Sequence, residues 1–147
     1  MVHALEDIHR LLKSGGILID IHPEPEGAII KALQGDRILF SERKRENCSE
    51  DVLSAENALT EVVERKLFSV DRRAEFDFLT YASSVSELRA YWDEQNEYED
   101  KPKDEAAIKR EEDLYGQVEQ IMQASRAEVA VAMYERVRIT RLRPVRS

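Results

Sequence analysis

The sequence predicts an α/β or α+β fold, in which helices flank a small mixed sheet. Two observations support this class. Four segments carry apolar residues at helical spacing, and the segments between them hold short apolar or alternating runs typical of strands. With 147 residues, 42% of them hydrophobic and 35% charged, the chain has the composition and size of a folded domain with a substantial core. We therefore expect a single domain over residues 1–147.

The chain opens with a predicted helix and a predicted buried strand. Apolar spacing indicates the helix over residues 3–13, and Gly15-Gly16 would supply the left-handed stop that a helix end favours. The following run, 17–21, is apolar enough for a strand that is buried on both faces. The apolar residues that define the helix are Ala4, Leu5, Ile8, Leu11 and Leu12.

A hairpin and a second helix are predicted next. Gln34, Gly35 and Asp36 lie between two β-prone runs, and this pattern predicts a hairpin over 28–42. Apolar residues at helical spacing then predict a helix over 50–67.

Two long strands and two helices complete the expected fold. Runs of β-prone residues predict strands over 68–81 and 127–142. Between them, apolar spacing predicts helices over 84–94 and 104–124. The first of these helices begins with Ser84-Val85-Ser86-Glu87, which has the spacing of a capping box.

Composition narrows the classes of partner and of cellular location. Acidic residues outnumber basic ones by 30 to 22, so the net charge is −8, and nucleic acid and anionic membranes are not expected partners. Cys48 is the only cysteine, which is typical of a reducing compartment. The first residues lack the apolar core of a signal peptide, and no apolar run approaches the length of a membrane span. We expect a cytoplasmic protein.

Residues 4–23 carry a specific resemblance. They hold an amphipathic helix, the sequence Arg10-Leu-Leu-Lys-Ser-Gly-Gly16, an apolar run and a loop with Pro23. This order resembles the region around the fifth strand of class I S-adenosylmethionine-dependent methyltransferases, which typically reads L-x-x-x-x-R-x-L-K-P-G-G before the strand. Ser14 stands where proline is commonest. A weaker second match, Phe76 to Tyr81 followed by a short helix, resembles the late strand with an F-x-x-x-T pattern in the same family.

The resemblance covers the C-terminal half of such a Rossmann-like domain and not its cofactor-binding N-terminal half. It implies that the last two long strands pair antiparallel, and that the final strand lies beside the strand at 17–21. The family holds its cofactor with a glycine-rich turn, because glycine lets the backbone approach the ligand closely. None of the five glycines here forms a G-x-G turn, so no cofactor-binding residue is carried over. These glycines are at positions 15, 16, 27, 35 and 116.

Three functions remain open at this point. The first is a methyltransferase-like domain that has no S-adenosylmethionine site and is not catalytic alone. The second is one piece of a split or truncated methyltransferase that acts on a small molecule, with an upstream polypeptide supplying the cofactor site. The third is a homodimeric interaction module. We expect no cofactor to be bound by this chain alone, S-adenosylmethionine included, unless a complementary half exists.

Candidate binding residues lie at the end of the first predicted strand. Asp20 and His22 alternate onto one face of that strand, and Glu24 follows in the loop. In the family this loop borders the substrate pocket, so the resemblance implies that Asp20, His22 and Glu24 are substrate-binding candidates. A polar strand end exposed to water is the alternative. The spacing of His3, His9 and His22 does not suit a shared metal, and no catalytic residue is indicated.

A homodimer is the expected assembly. The resemblance implies that the strand at 17–21 lacks one neighbour, which leaves unpaired backbone groups at an apolar edge. Edges of this kind pair with other chains. We therefore expect contacts through Ile17–Ile21 and the helix Ala4–Leu12. The C-terminal arginines, such as Arg136 and Arg138, are expected to form a solvated face that pairs with the acidic region 93–113.

Overall fold

The computed structural model describes residues 1–44, 49–95 and 104–146. Within these ranges, every helix and strand predicted from the sequence is confirmed, with differences of a few residues at their ends. No helix in the described part of the chain is both long and apolar enough to cross a membrane. The elements are α1 (Val2–Leu11), β1 (Leu18–Pro23), β2 (Ile29–Gln34), β3 (Arg37–Arg43), α2 (Ser49–Glu64), β4 (Phe68–Ala82), α3 (Val85–Gln95), α4 (Glu105–Ala124) and β5 (Ala130–Pro144).

The strands form a sheet in the order β1-β5-β2-β3, and β4 also pairs with β5. The pairs β1–β5, β2–β3 and β2–β5 are all antiparallel, so these pairings do not bear out the expectation of a mixed sheet. Parallel neighbours need a crossover that returns the chain to the same end of the sheet. Here β2 and β3 are joined by a tight turn, and β5 enters beside β1 from the opposite end. The broader class, helices flanking a sheet, is confirmed.

The backbone divides into two compact units. The β1 unit consists of Met1–Glu26, Asn47–Asp77 and Arg136–Ser147, and the hairpin unit consists of Gly27–Glu46 and Phe78–Glu135. Each unit has its own hydrophobic core.

In the β1 unit, α1 and α2 pack together over the half of β5 that pairs with β1. Helix α1 ends at Leu11 because Leu12 takes an extended conformation, with φ −66° and ψ 136°. The predicted left-handed stop at Gly15-Gly16 is wrong, since Gly27 and Gly35 are the glycines with positive φ in the described residues. The buried core residues are Leu5, Ala58, Leu59, Val62, Phe68 and Leu142.

Strand β1 is not buried on both faces, contrary to the expectation for residues 17–21. Ile19 is 43% exposed and Ile21 is 58% exposed, whereas Leu18, Asp20 and His22 are partly buried. The alternation arises because one face of the strand is turned toward the α1 and α2 side, where Leu18 joins the core. The isoleucines that suggested a buried strand therefore form an exposed apolar row.

The hairpin unit packs β2 and the first half of β5 against α3 and α4. Gly35 closes the β2–β3 turn with φ +57°, a conformation that glycine adopts without steric cost. The Ser84 hydroxyl accepts a hydrogen bond from the Glu87 N–H at 3.1 Å, which confirms the predicted cap of α3. Lys44 is buried, with its Nζ 3.0 Å from Glu111 Oε1 and 4.5 Å from the centre of the Trp92 ring.

Candidate functional site

The polar residues of the β1 unit collect on the partly buried face of β1. In the antiparallel register Asp20 lies opposite Thr140, and His22 lies opposite Arg138. Residues directly opposite each other in such a pair project from the same face of the sheet. The β1–β5 register therefore brings four polar side chains together beside helix α2.

His22 is held between two carboxylates. Its Nδ1 lies 2.7 Å from Asp20 Oδ2, and its Nε2 lies 3.4 Å from Glu56 Oε1. The side chain is only 10% exposed, so the ring has little freedom to turn. The contact with Asp20 fixes the plane of the ring, as a carboxylate partner commonly does for histidine.

Arg138 links Glu56, and through it His22, to the loop that follows β1. One terminal nitrogen of its guanidinium contacts Glu56, and the other lies 2.9 Å from Glu24 Oε1 and 3.6 Å from Glu75 Oε1. Arg138 is 22% exposed and Glu24 is 17% exposed, so these charge-assisted contacts are partly shielded from water. The guanidinium is the centre of the network.

A small cleft of about 100 Å³ opens beside the network in the β1 unit. It has room for a few water-sized groups. It is lined by His22, Glu56, Leu59, Thr60, Arg73, Arg138 and Thr140.

Two buried polar atoms at this cleft lack hydrogen-bond partners. They are the Thr140 hydroxyl oxygen and the Arg138 Nε. Thr140 is only 1% exposed, so its hydroxyl has almost no contact with bulk water. Buried polar groups are nearly always hydrogen-bonded, and an unpaired one costs free energy.

The structure brings all three predicted site residues into one network. Asp20 contacts His22 directly, and Glu24 joins them through Arg138. The sequence did not indicate Glu56, whose carboxylate contacts both His22 and Arg138. Glu56 is three residues before the core residue Leu59, and this helical spacing was the available signal that it faces the sheet.

The arginines of β5 have acidic partners on β4. Arg136 contacts Glu75, and the hydrogen bond it donates is the main cause that lowers the pKa of Glu75. Arg141 likewise donates to Asp71 and lowers its pKa. The carboxylates that contact these arginines lie on β4, whereas region 93–113 was the expected source of their partners.

The geometry favours binding over proton transfer by His22. A general base needs a nitrogen within hydrogen-bonding reach of the substrate proton, but the Glu56 carboxylate stands at the Nε2 of His22. Within the described residues, no group of three His, Cys, Asp or Glu side chains is arranged to hold a metal ion. His3 instead contacts Glu6, and His9 contacts the Val145 carbonyl oxygen and the Phe68 ring. Cys48 lies outside the described residues.

Comparison with known proteins adds no family to this description. No protein-family model, no curated protein and no solved structure matches the chain.

Proposed function

We propose that the chain is a methyltransferase-like domain that has no S-adenosylmethionine site of its own and assembles as a homodimer through β1. The strand arrangement supports the first part of this proposal. β5, the last strand, pairs with both β1 and β4. This is the neighbourhood that the resemblance implies for the final strand, beside the strand after the double glycine and the late aromatic strand. The lack of any G-x-G turn supports the missing cofactor site.

The free edge of β1 supports the proposed homodimer. β1 lies at the end of the strand order, so within the described residues its second edge has no partner strand. The Glu24 N–H donates to the Arg136 carbonyl at 2.8 Å. Because hydrogen-bonded residues alternate along an antiparallel strand, the backbone groups of Ile19 and Ile21 point away from β5. The open edge therefore offers their N–H and C=O groups to another strand.

The composition of β1 makes this edge different from the other outer strands. β4 carries five charged residues from Asp71 to Asp77, and β3 has charged residues at both ends. Charged residues protect a sheet edge from unwanted pairing. β1 presents Ile19 and Ile21 on its exposed face, while its one charged side chain, Asp20, is turned toward His22.

A second copy of the chain fits this edge by symmetry. A two-fold axis at Asp20 would place Ile19 of each copy opposite Ile21 of the other. This register forms about four N–H···O=C bonds and covers both exposed isoleucines. Pro23 has no N–H to donate, so pairing is confined to the segment before it.

Two solution measurements test the proposal. Calorimetric titration of the purified chain with S-adenosylmethionine should give no binding heat. Sedimentation equilibrium should give twice the chain mass of 17.0 kDa. Ile21→Lys places a charge on the exposed row without touching the core, and it should give a monomer. Ile38→Lys is the matched control, because Ile38 is a 55% exposed isoleucine of another outer strand, and it should leave the dimer intact.

Each part of the proposal can be overturned separately. Stoichiometric binding of S-adenosylmethionine at micromolar concentration would contradict the missing cofactor site. A wild-type monomer at all concentrations, or equal dissociation by the two lysine variants, would contradict self-pairing through β1.

A split methyltransferase is the second candidate, and the position of the polar network favours it. Asp20 and His22 lie in the second half of β1, and the resemblance places the loop after this strand beside the substrate pocket. In this case a strand of a cofactor-binding polypeptide, and not a second copy, would cover the β1 edge. The chain alone would then be monomeric, and it would bind S-adenosylmethionine only together with that polypeptide.

A further inference from the structure

We propose that the cleft beside Thr140 binds a small oxyanion, either a carboxylate or a phosphate group, through Thr140, Arg138 and Arg73. This inference does not depend on the methyltransferase-like assignment, since it uses only the groups that line the cleft. The unsatisfied hydrogen-bonding atoms at the cleft are its starting point.

The groups without partners are hydrogen-bond donors. Arg138 Nε–H can only donate, and it is buried without an acceptor. The buried Thr140 hydroxyl can also donate and likewise has no partner. Arg73 lines the same cleft, and within the described ranges no carboxylate is paired with its guanidinium. Three donors that belong to the lining of one cleft, two of them buried without an acceptor, match the several lone pairs of an oxyanion.

One cation at the cleft is available to an anionic occupant. The Glu56 carboxylate also lines the cleft, and it is engaged by Arg138 and by His22. Arg138 contacts Glu24 and Glu75 as well, so its charge is already shared among three carboxylates. Arg73 lines the cleft without a carboxylate partner in the described ranges, so it is the group whose charge a ligand would balance. The volume of about 100 Å³ suits one small acidic group and not a whole nucleotide.

Titration followed by amide NMR tests this site in the full-length chain. Sodium phosphate and sodium acetate are added in separate titrations at constant ionic strength, with sodium chloride as the reference. We expect saturable shifts of the Thr140 and His22 amides with one of the two anions, which identifies the ligand class. Arg73→Gln should weaken this binding about tenfold. Arg72→Gln is the matched control: it removes an exposed arginine next to Arg73 in β4, on the opposite face by alternation, and should leave binding unchanged.

A second variant tests whether the unpaired Thr140 hydroxyl binds a ligand or only destabilises the fold. Thr140→Val keeps the side-chain shape but removes the unpaired hydroxyl. It should raise the Tm of the free protein by roughly 3–6 °C and at the same time weaken anion binding. The proposal is overturned if neither anion gives saturable shifts. It is also overturned if Arg72→Gln and Arg73→Gln weaken binding equally, or if Thr140→Val leaves affinity unchanged.

Discussion

The buried ion pair of the hairpin unit gives a quantitative prediction about stability. Lys44 is 3% exposed and lies 3.0 Å from Glu111, whose side chain is 17% exposed. We expect Glu111→Met to destabilise the protein strongly and Lys44→Met to do so less. The double variant should be close to wild type, because it removes both charges and fills the site with apolar atoms.

The magnitudes follow from the geometry. At 3.0 Å and an effective dielectric constant of about 20, the two charges attract by roughly 5–6 kcal/mol. Glu111→Met takes this carboxylate away from a buried ammonium and should cost about 3–4 kcal/mol. Lys44→Met leaves a carboxylate that water partly reaches, and it loses the contact with Trp92, so about 1–3 kcal/mol is expected.

Urea denaturation measures these free energies of unfolding as a double-mutant cycle. Trp92 is the only tryptophan, and it lies beside Lys44, so its fluorescence reports on the hairpin unit. Glu61→Gln is the control, because Glu61 pairs with Arg65 on an exposed helix surface and should contribute at most about 0.5 kcal/mol. Additive effects of the two methionine substitutions would refute the reasoning, since they would show that the two charges are not coupled.

Three further predictions concern acid stability, backbone conformation at glycine and the capping of α3. The hydrogen bond from Arg141 lowers the folded-state pKa of Asp71. The contribution of Asp71 to the free energy of unfolding is therefore present above the ordinary carboxyl pKa of about 4, and it is lost as the pH falls through the lowered pKa. Asp71→Asn should flatten the dependence of the urea midpoint on pH between 5 and 3. Gly116→Ala should stabilise the protein by about 1 kcal/mol, because Gly116 lies inside α4 and an added methyl group meets no atom within 4 Å. Gly35→Ala should destabilise it by a similar amount, because Gly35 has a φ of +57°. Urea midpoints measure both effects. Ser84→Ala removes the cap of α3 and should lower the free energy of unfolding by about 1 kcal/mol in the same assay.

The helices and strands were predictable because their signals are local. Apolar spacing in α4 and the glycine turn between β2 and β3 depend only on neighbouring residues, and both predictions are confirmed. The burial of β1 was not predictable in this way. The run Ile17–Ile21 fits either a strand buried on both faces or one with an exposed apolar row. Only the packing of α1 and α2 against one face of β1 decides between them.

The candidate site was predictable in part for the same reason. Asp20 and His22 are two residues apart in a strand, so their shared face follows from the strand period. Glu56 and Arg138 are 34 and 116 residues away from His22 along the chain, and the packing of α2 and the register of β1 with β5 bring them together. No local pattern encodes that register, so the centre of the network became visible only in the folded chain.

Hydrogen–deuterium exchange at β1 tests most directly whether the free edge of this strand pairs with a second copy. If it does, the amides of Ile19 and Ile21, which point away from β5, exchange slowly at high protein concentration and become fast on dilution. The amide of His22, which bonds to β5, should stay protected at both concentrations. Fast exchange of Ile19 and Ile21 at every concentration would show that the edge of β1 does not pair with a second copy.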